Sequence, residues 1–301
     1  MLFALLAAFL YAASAMCARQ STALLGPVKA NFLRLALASI VMICVTMAYG
    51  GVDLQSTAAR RLYLSGFIGF GLGDMALFFA LPRLGTRLTL LINLCSAPVF
   101  GSLGDYWLVG TGIQPAHGIA CAFILGGVVL ALSSTPSLPA MAPQARLPGV
   151  LAALTAGLGQ GLGASLSRFA QAAEKASGIP LPSAVETCLR LVPGLLAVGL
   201  FWLILHCIKS PVAVHARAGP ITPKAVRWIV ANATFGAILG VVCFQHALTL
   251  ASSAVVLSIT ATTPIVVMPM TFYSEFDQPS LRSIGGATIA VIGVVLLKLL
   301  V

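Results

Sequence analysis

The residues of this sequence that could do chemistry are single polar side chains set inside long apolar runs. Asp74 is the clearest of them, because it lies in the run GFIGFGLGDMALFFAL at residues 66–81. A charged side chain at the centre of a membrane helix costs about 2.5–3.5 kcal/mol on insertion scales, so it usually has a partner or a function. Asp74 is therefore a candidate for a substrate site, a proton site or a paired structural charge.

Arg34 and Asn93 are the candidate neighbours of Asp74. In the predicted helices the three residues lie at a similar distance from the same membrane face, about 10–12 Å deep at a rise of 1.5 Å per residue. This shared depth predicts a buried pair of Arg34 and Asp74 with Asn93 nearby. Such a pair could line a substrate vestibule or could only balance the two charges.

Five further residues offer hydrogen-bonding or titratable groups. Glu186 and Arg190 have the i,i+4 spacing of a pair on one helix face, and the pair could be purely structural. His246 is a candidate proton carrier, because imidazole titrates in the physiological range, or a residue at headgroup level. Tyr11 and Gln160, near the membrane middle, suit a zwitterionic or amphipathic solute, or link helices. The candidate substrate-binding set is Tyr11, Arg34, Asp74, Asn93, Gln160, Glu186, Arg190 and His246, and its candidates for proton coupling are Asp74, Glu186 and His246.

The composition restricts the class of protein. Of 301 residues, 59% are hydrophobic and 8% are charged, whereas soluble domains carry about 25% charged residues. The apolar runs are continuous, which predicts an all-α polytopic membrane protein. The net charge of +10 comes from scattered basic residues, which favours lipid headgroups over nucleic acid as partners. The seven cysteines include no CxxC motif, and no ATP-binding, cofactor, catalytic or metal motif is present, so we expect no cofactor and no metal.

Apolar runs bounded by charged, Gly or Pro residues predict the membrane spans. Since about 20 apolar residues cross a bilayer, the chain accommodates about ten transmembrane helices. The predicted spans are residues 2–19, 27–48, 62–82, 86–107, 114–133, 148–168, 181–205, 225–248, 252–274 and 281–300.

The two halves of the sequence resemble each other. Residues 62–134 align with residues 229–301 without a gap, and glycines coincide in this alignment, Gly73 with Gly240 among them. Asp74 has no such counterpart, because it aligns with Val241. The sequence therefore indicates a repeated scaffold to which the carboxylate is an asymmetric addition.

The repeat predicts the domain organisation. We expect a first five-helix repeat at residues 1–135, a Pro-rich linker at residues 136–147 and a second repeat at residues 148–301. Because five is an odd number, the second repeat enters the membrane in the opposite orientation. Two inverted five-helix repeats are an architecture that secondary transporters use for alternating access.

Two kinds of motif in the sequence resemble a known family. The segments FLRLALA and CLRLVPG place Arg34 and Arg190 on aligned helices, and ALTLASSAVVLSITATTPIVVMPMTFYSE ends at Glu275. Together with the repeat, these segments resemble the drug/metabolite transporter superfamily, EamA type. The family also has a Glu after the fourth helix, where this chain has Leu108, and Asp105 is the candidate substitute one turn earlier.

The resemblance implies a multi-pass secondary carrier in the inner (plasma) membrane, often an exporter of amino acids or related metabolites, with both termini cytoplasmic. Loop charges favour the reverse orientation. With both termini cytoplasmic, more Lys and Arg residues would lie in external loops than in cytoplasmic ones. The alternatives are a lipid or lipid-headgroup translocase on the same fold and, disfavoured by the scattered polar residues, an intramembrane enzyme. The expected partners are a small-molecule solute and membrane lipid, and the protein could be a monomer or a homodimer.

Overall fold

A computed structural model describes residues 2–50, 52–110, 116–133, 143–207, 219–264, 266–267, 269–270 and 280–299. All regular structure in these ranges is helical. The α-helices are α1 Leu2–Leu25, α2 Pro27–Ala48, α3 Thr57–Gly66, α4 Asp74–Val109, α5 Ala116–Ser133, α6 Pro143–Ser177, α7 Ser183–Cys207, α8 Pro223–Asn232, α9 Val241–Leu250, α10 Ser253–Thr260 and α11 Leu281–Leu299. The first π segment, Phe67–Gly73, joins α3 to α4, and the second π segment, Ala233–Gly240, joins α8 to α9.

Within the described ranges, six helical runs are long and apolar enough to cross a membrane. The prediction of an all-helical, multi-pass membrane protein is therefore confirmed. Most of the predicted linker, residues 134–142, lies outside the described residues, as do residues 271–279, which include Glu275.

The longest of these runs, Thr57–Val109, has 53 residues. At 1.5 Å per residue it would be about 80 Å long if straight, whereas the hydrocarbon core of a bilayer is about 30 Å thick. The run breaks at Gly85, whose φ of 72° and ψ of 170° are not helical. Glycine adopts such a positive φ without steric cost, so the chain can reverse here as the predicted break at residues 82–85 requires.

The prediction for the sixth span was too short at its C-terminal end. We expected a helix over residues 148–168, but α6 continues to Ser177. Arg168 looked like a membrane boundary because charged residues normally stay in water. In the structure Gln171 and Glu174 are buried against neighbouring helices, so the polar residues extend the helix without facing lipid.

The prediction of one continuous helix over residues 252–274 was wrong. Helix α10 ends at Thr260, and Ala261 and Thr262 form a turn. Pro264 explains the interruption, because it has no N–H to donate to the carbonyl of Thr260 and its ring would collide with that carbonyl.

Each π segment packs against a helix from the other half of the sequence. Helix α1 packs against α8, α9 and the second π segment, whereas α6 packs against α3, α4 and the first π segment. Helix α2 packs on α7, and α5 packs on α11. Each π segment therefore packs on one side against a helix distant in sequence.

The contact of α6 with the first π segment depends on two glycines. A Cβ added at Gly159 would lie 2.6 Å from Gly73 Cα and 2.9 Å from Ile68 O. Both are backbone atoms, so the two segments would have to separate. Small residues allow this kind of close approach between membrane helices.

We expect Gly159→Ala to lower the free energy of unfolding by about 1–3 kcal/mol, the usual cost of overpacking. Thermal unfolding of the purified protein in detergent measures this change. Gly126→Ala is the matched control, because a Cβ there meets nothing within 4 Å. Equal effects of the two substitutions would contradict the proposed close contact.

Candidate functional site

A cavity lies in the middle of the helical bundle, between α1 and the two π segments. Its open space for the centre of a water-sized molecule is ≈ 100 Å³. One water needs about 10–15 Å³ on that measure, so several waters or a small organic solute fit. Aromatic rings of Phe70, Phe78 and Phe244 form part of its wall. The polar residues that line it are Tyr11, Ser14, Arg34, Asp74, Asn93, Gln160, Arg190 and Asn232.

The predicted pair of Arg34 and Asp74 is confirmed. Arg34 Nη2 forms an ion pair with Asp74 Oδ2 and donates to Asn31 Oδ1 at 3.2 Å. The Arg34 guanidinium also lies 5.2 Å from the ring centroid of Phe78, a favourable cation–π position. The pair thus holds opposite charges at the wall of a cavity in a membrane-spanning bundle.

The first π segment positions Asp74. The backbone N–H of Asp74 donates to Gly69 O, five residues earlier, instead of to the fourth residue as in an α-helix. This wider turn rotates the residues that follow it, and π-helical turns are frequent at functional sites. Asp74 is the first residue beyond the segment, so its carboxylate depends directly on this turn.

Arg190 brings a second guanidinium group to the cavity. Its Nη1 donates to Gln245 Oε1 at 2.6 Å, and its Cζ lies 5.1 Å from the ring centroid of Phe70. Gln245 Nε2 in turn donates to Glu186 Oε2 at 3.1 Å. The predicted neighbours Glu186 and Arg190 are therefore bridged by Gln245.

Several buried polar atoms at the cavity have no hydrogen-bond partner in the described part of the chain. These atoms are Asn93 Oδ1, Asn232 Nδ2 and the Nε of both Arg34 and Arg190. Asn232 uses its other amide atom, Oδ1, to accept from Ser14 Oγ at 2.7 Å. Buried polar groups are normally hydrogen-bonded, so these atoms are available to water or to a bound solute.

Six of the eight predicted site residues line this cavity, and the structure places Glu186 and His246 elsewhere. Glu186 is fully buried behind Gln245. The His246 ring packs on Phe3 with centroids 4.3 Å apart, and its Nδ1 lies 3.4 Å from Ser183 Oγ. The six residues at the cavity are Tyr11, Arg34, Asp74, Asn93, Gln160 and Arg190.

Sequence reasoning missed residues with short or apolar side chains. Ser14 and the three cavity phenylalanines carry no signal that separates them from packing residues. Asn232 is outside the candidate set, although the position of a polar residue within an apolar run was an available signal. Glu174 was missed because it lies between the predicted spans 148–168 and 181–205, whereas α6 extends to Ser177.

Asp105 lies in a separate cluster near the end of α4. It accepts from Arg168 Nη1 at 2.6 Å, and Ser253 Oγ donates to it at 2.6 Å. These contacts join α4, α6 and α10 outside the cavity. Whether Asp105 replaces the Glu of the family pattern stays a prediction.

A charged cavity within multi-pass apolar helices is the arrangement of a membrane transport protein. Among the described residues, no three His, Cys, Asp or Glu side chains are grouped as a metal site would require.

Comparison with known proteins places the chain more narrowly. The sequence model of the EamA-like transporter family, part of the drug/metabolite transporter superfamily, matches residues 1–133. None of the curated proteins matches the chain. One solved structure, described as "Crystal structure of protein", is 20% identical, with a TM-score of 0.68 over 99% of this chain and 96% of the other. That likeness concerns the fold alone.

The family match confirms the resemblance drawn from the sequence and indicates a membrane transporter of small solutes. Members of this family are transporters and not enzymes.

We expect Asp74→Asn to lower the free energy of unfolding by about 3 kcal/mol, because it leaves the Arg34 charge buried without its carboxylate. The double variant Arg34→Gln, Asp74→Asn should recover much of this loss. Unfolding of both variants in detergent provides the measurement. Strictly additive effects of the two substitutions would rule out the pair as a stabilising unit. Asp53→Asn, which removes an exposed carboxylate, is the control.

Proposed function

We propose that this protein is a secondary transporter of small organic solutes, amino acids or related metabolites, and that it exports them across the inner membrane by alternating access. The observation that carries this proposal is the cavity with the Arg34–Asp74 pair, Arg190 and buried polar atoms that have no partner in the described ranges. Charged groups inside a membrane protein are expensive, and they usually mark a substrate or ion pathway.

The proposed architecture is two inverted repeats of five helices each, at residues 1–135 and 148–301, with a linker at residues 136–147. Two observations support it. The π segments occur at aligned positions of the two halves, and each packs against the first helix of the other half. Repeats that interlock around a central site can rock against each other, which is how alternating access operates in many carriers.

The chemistry of the cavity suits a zwitterion. The Asp74 carboxylate and Asn93 Oδ1 can accept hydrogen bonds from an ammonium group. The unpartnered Nε–H groups of Arg34 and Arg190 can donate to a carboxylate, and charge-assisted bonds of this kind are the strong ones. The aromatic wall of the cavity would contact the apolar part of the solute.

A lateral cleft between α2, α3 and α7 supports a solute carrier over a lipid-headgroup translocase. The described residues that line it include no Arg or Lys that could bind a phosphate headgroup, as a translocase would require. The lining residues are Ile43, Thr46, Met47, Val52, Leu54, Tyr63, Cys188, Val192, Pro193 and Leu196.

The proposal is tested by uptake of an equimolar mixture of the twenty radiolabelled amino acids into proteoliposomes. We expect uptake by the wild-type protein and a roughly ten- to hundred-fold lower apparent affinity for Asn93→Leu, from the loss of one hydrogen bond to a charged group worth about 1.5–3 kcal/mol. Because Asn93 Oδ1 has no partner among the residues that the structure describes, this variant should unfold at the wild-type temperature.

Two Arg→Gln variants distinguish the effect of a charge in the cavity from the effect of a charge at the surface. Arg190→Gln should reduce uptake as strongly as Asn93→Leu, and Arg227→Gln, at an exposed position of α8, should leave it unchanged. Normal uptake by both cavity variants would exclude this cavity as the solute site. No uptake by the wild-type protein would exclude the proposed solute class.

A further inference from the structure

A second buried polar cluster lies where α6 ends and α7 begins. Glu174 on α6 is 4% exposed, and Glu186 on α7 is 0% exposed. The two carboxyl groups interact electrostatically, and Gln171, one turn before Glu174 on α6, donates to Glu186. Glu174 lies in the part of α6 beyond residue 168, where the predicted span ends.

In each carboxyl group one oxygen accepts a hydrogen bond, and the other has no donor among the described residues. Glu174 Oε2 accepts from the backbone N–H of Leu181 at 3.0 Å. Glu186 Oε2 accepts from Gln171 Nε2 and from Gln245 Nε2, both at 3.1 Å. The Oε1 atoms of Glu174 and Glu186 are buried and have no partner in the described part of the chain.

Ionised carboxylates only accept hydrogen bonds, so neither carboxyl group can donate to the other unless one of them carries a proton. Two neighbouring carboxylates out of water also cannot both be ionised without a large repulsive energy. One shared proton removes this repulsion and supplies the donor that the two Oε1 atoms lack.

The charges of the groups connected to this pair also indicate one bound proton. Arg190 interacts electrostatically with both Glu186 and Asp74, and Asp74 is paired with Arg34. The connected network therefore holds two arginines and three carboxylates, the third being Glu174. It is neutral only when it carries one proton, and neutrality matters most in a medium where isolated charges are not solvated.

The other groups around the pair do not supply the missing positive charge. Lys175, next to Glu174, is exposed. Arg61 on α3 donates to Phe169 O at 2.6 Å and stacks on its ring. On α9, His246 contacts Ser183.

A chain of hydrogen bonds connects the pair to the solute cavity. Gln245 donates from Nε2 to Glu186 and accepts at Oε1 from Arg190 Nη1 at 2.6 Å. Arg190 lines the cavity. A change at Glu186 can therefore alter the position of the Arg190 guanidinium through a single side chain.

We propose that Glu174 and Glu186 share one proton and form the proton-binding site of the transporter, connected to the solute cavity through Gln245 and Arg190. This rests on the proposed function, since it names the coupling site of that carrier. A metal cation would need more oxygen ligands than the two free carboxyl oxygens provide, so the ligand is a proton.

Infrared spectroscopy of the purified protein in lipid nanodiscs tests the shared proton. The chain has only three glutamates, Glu174, Glu186 and Glu275. We expect a protonated-carboxyl band at pH 7 that shifts when glutamate is labelled with ¹³C at its side-chain carboxyl carbon. The band should be lost in the double variant Glu174→Gln, Glu186→Gln and retained in Glu275→Gln.

The wild-type spectrum is decisive even if the double variant does not fold. The absence of a ¹³C-sensitive band at pH 7 would overturn the shared proton. A band that persists in a folded double variant would do the same. Retention of the band in Asp53→Asn is the control for an exposed carboxylate.

Uptake of the amino-acid mixture with and without a pH gradient tests the coupling. We expect the gradient to stimulate uptake by the wild-type protein and by Asp53→Asn, and this stimulation to be lost in Glu186→Gln. Equal stimulation of all three, or none in an active wild-type protein, would overturn the coupling role. If the wild-type protein takes up nothing while the infrared band is present, it is the proposed solute class that fails.

Discussion

The structure depends on one constraint, which is that charges inside a membrane must be matched by other charges or by hydrogen bonds. Arg34 and Asp74 satisfy it across α2 and α4. Arg190 satisfies it through Gln245, which bridges α7 and α9. These contacts require helices distant in sequence to meet at one place in the bundle. The cavity lies at that place, so the interactions that balance the charges also define the candidate solute site.

The chemistry of the site is less symmetric than its scaffold. Under the proposed repeat, Arg34 and Arg190 occupy corresponding helices. Their surroundings differ, because Arg34 faces a carboxylate and the ring of Phe78, whereas Gln245, the counterpart of Phe78, is bonded to Arg190. In the proposed architecture two inverted halves would exchange orientation, and an asymmetric pair of charges would give the site a polarity. A solute with one positive and one negative end has the matching polarity.

Hydropathy and turn chemistry predicted much of this fold, since long apolar runs have few alternatives to spanning helices. The depth of residues along those helices was enough to predict the contact of Arg34 with Asp74. The π segments could not be predicted, because an extra residue in a helical turn leaves the apolar composition unchanged. Glu174 was missed because its burial depends on Glu186 and Leu181, which lie beyond a connection that composition could only mark as polar.

Coupling between two ligands requires contacts that differ between their states. In the proposed mechanism Arg190 provides such a contact, because its guanidinium faces the cavity while its Nη1 is held by Gln245 at 2.6 Å. A solute carboxylate that draws Arg190 towards the cavity competes with Gln245 for this donor. Gln245 also donates to Glu186, so its movement changes the hydrogen bonding of the proton site. Solute and proton thus act on the same side chain from opposite ends, which links their binding without direct contact between them.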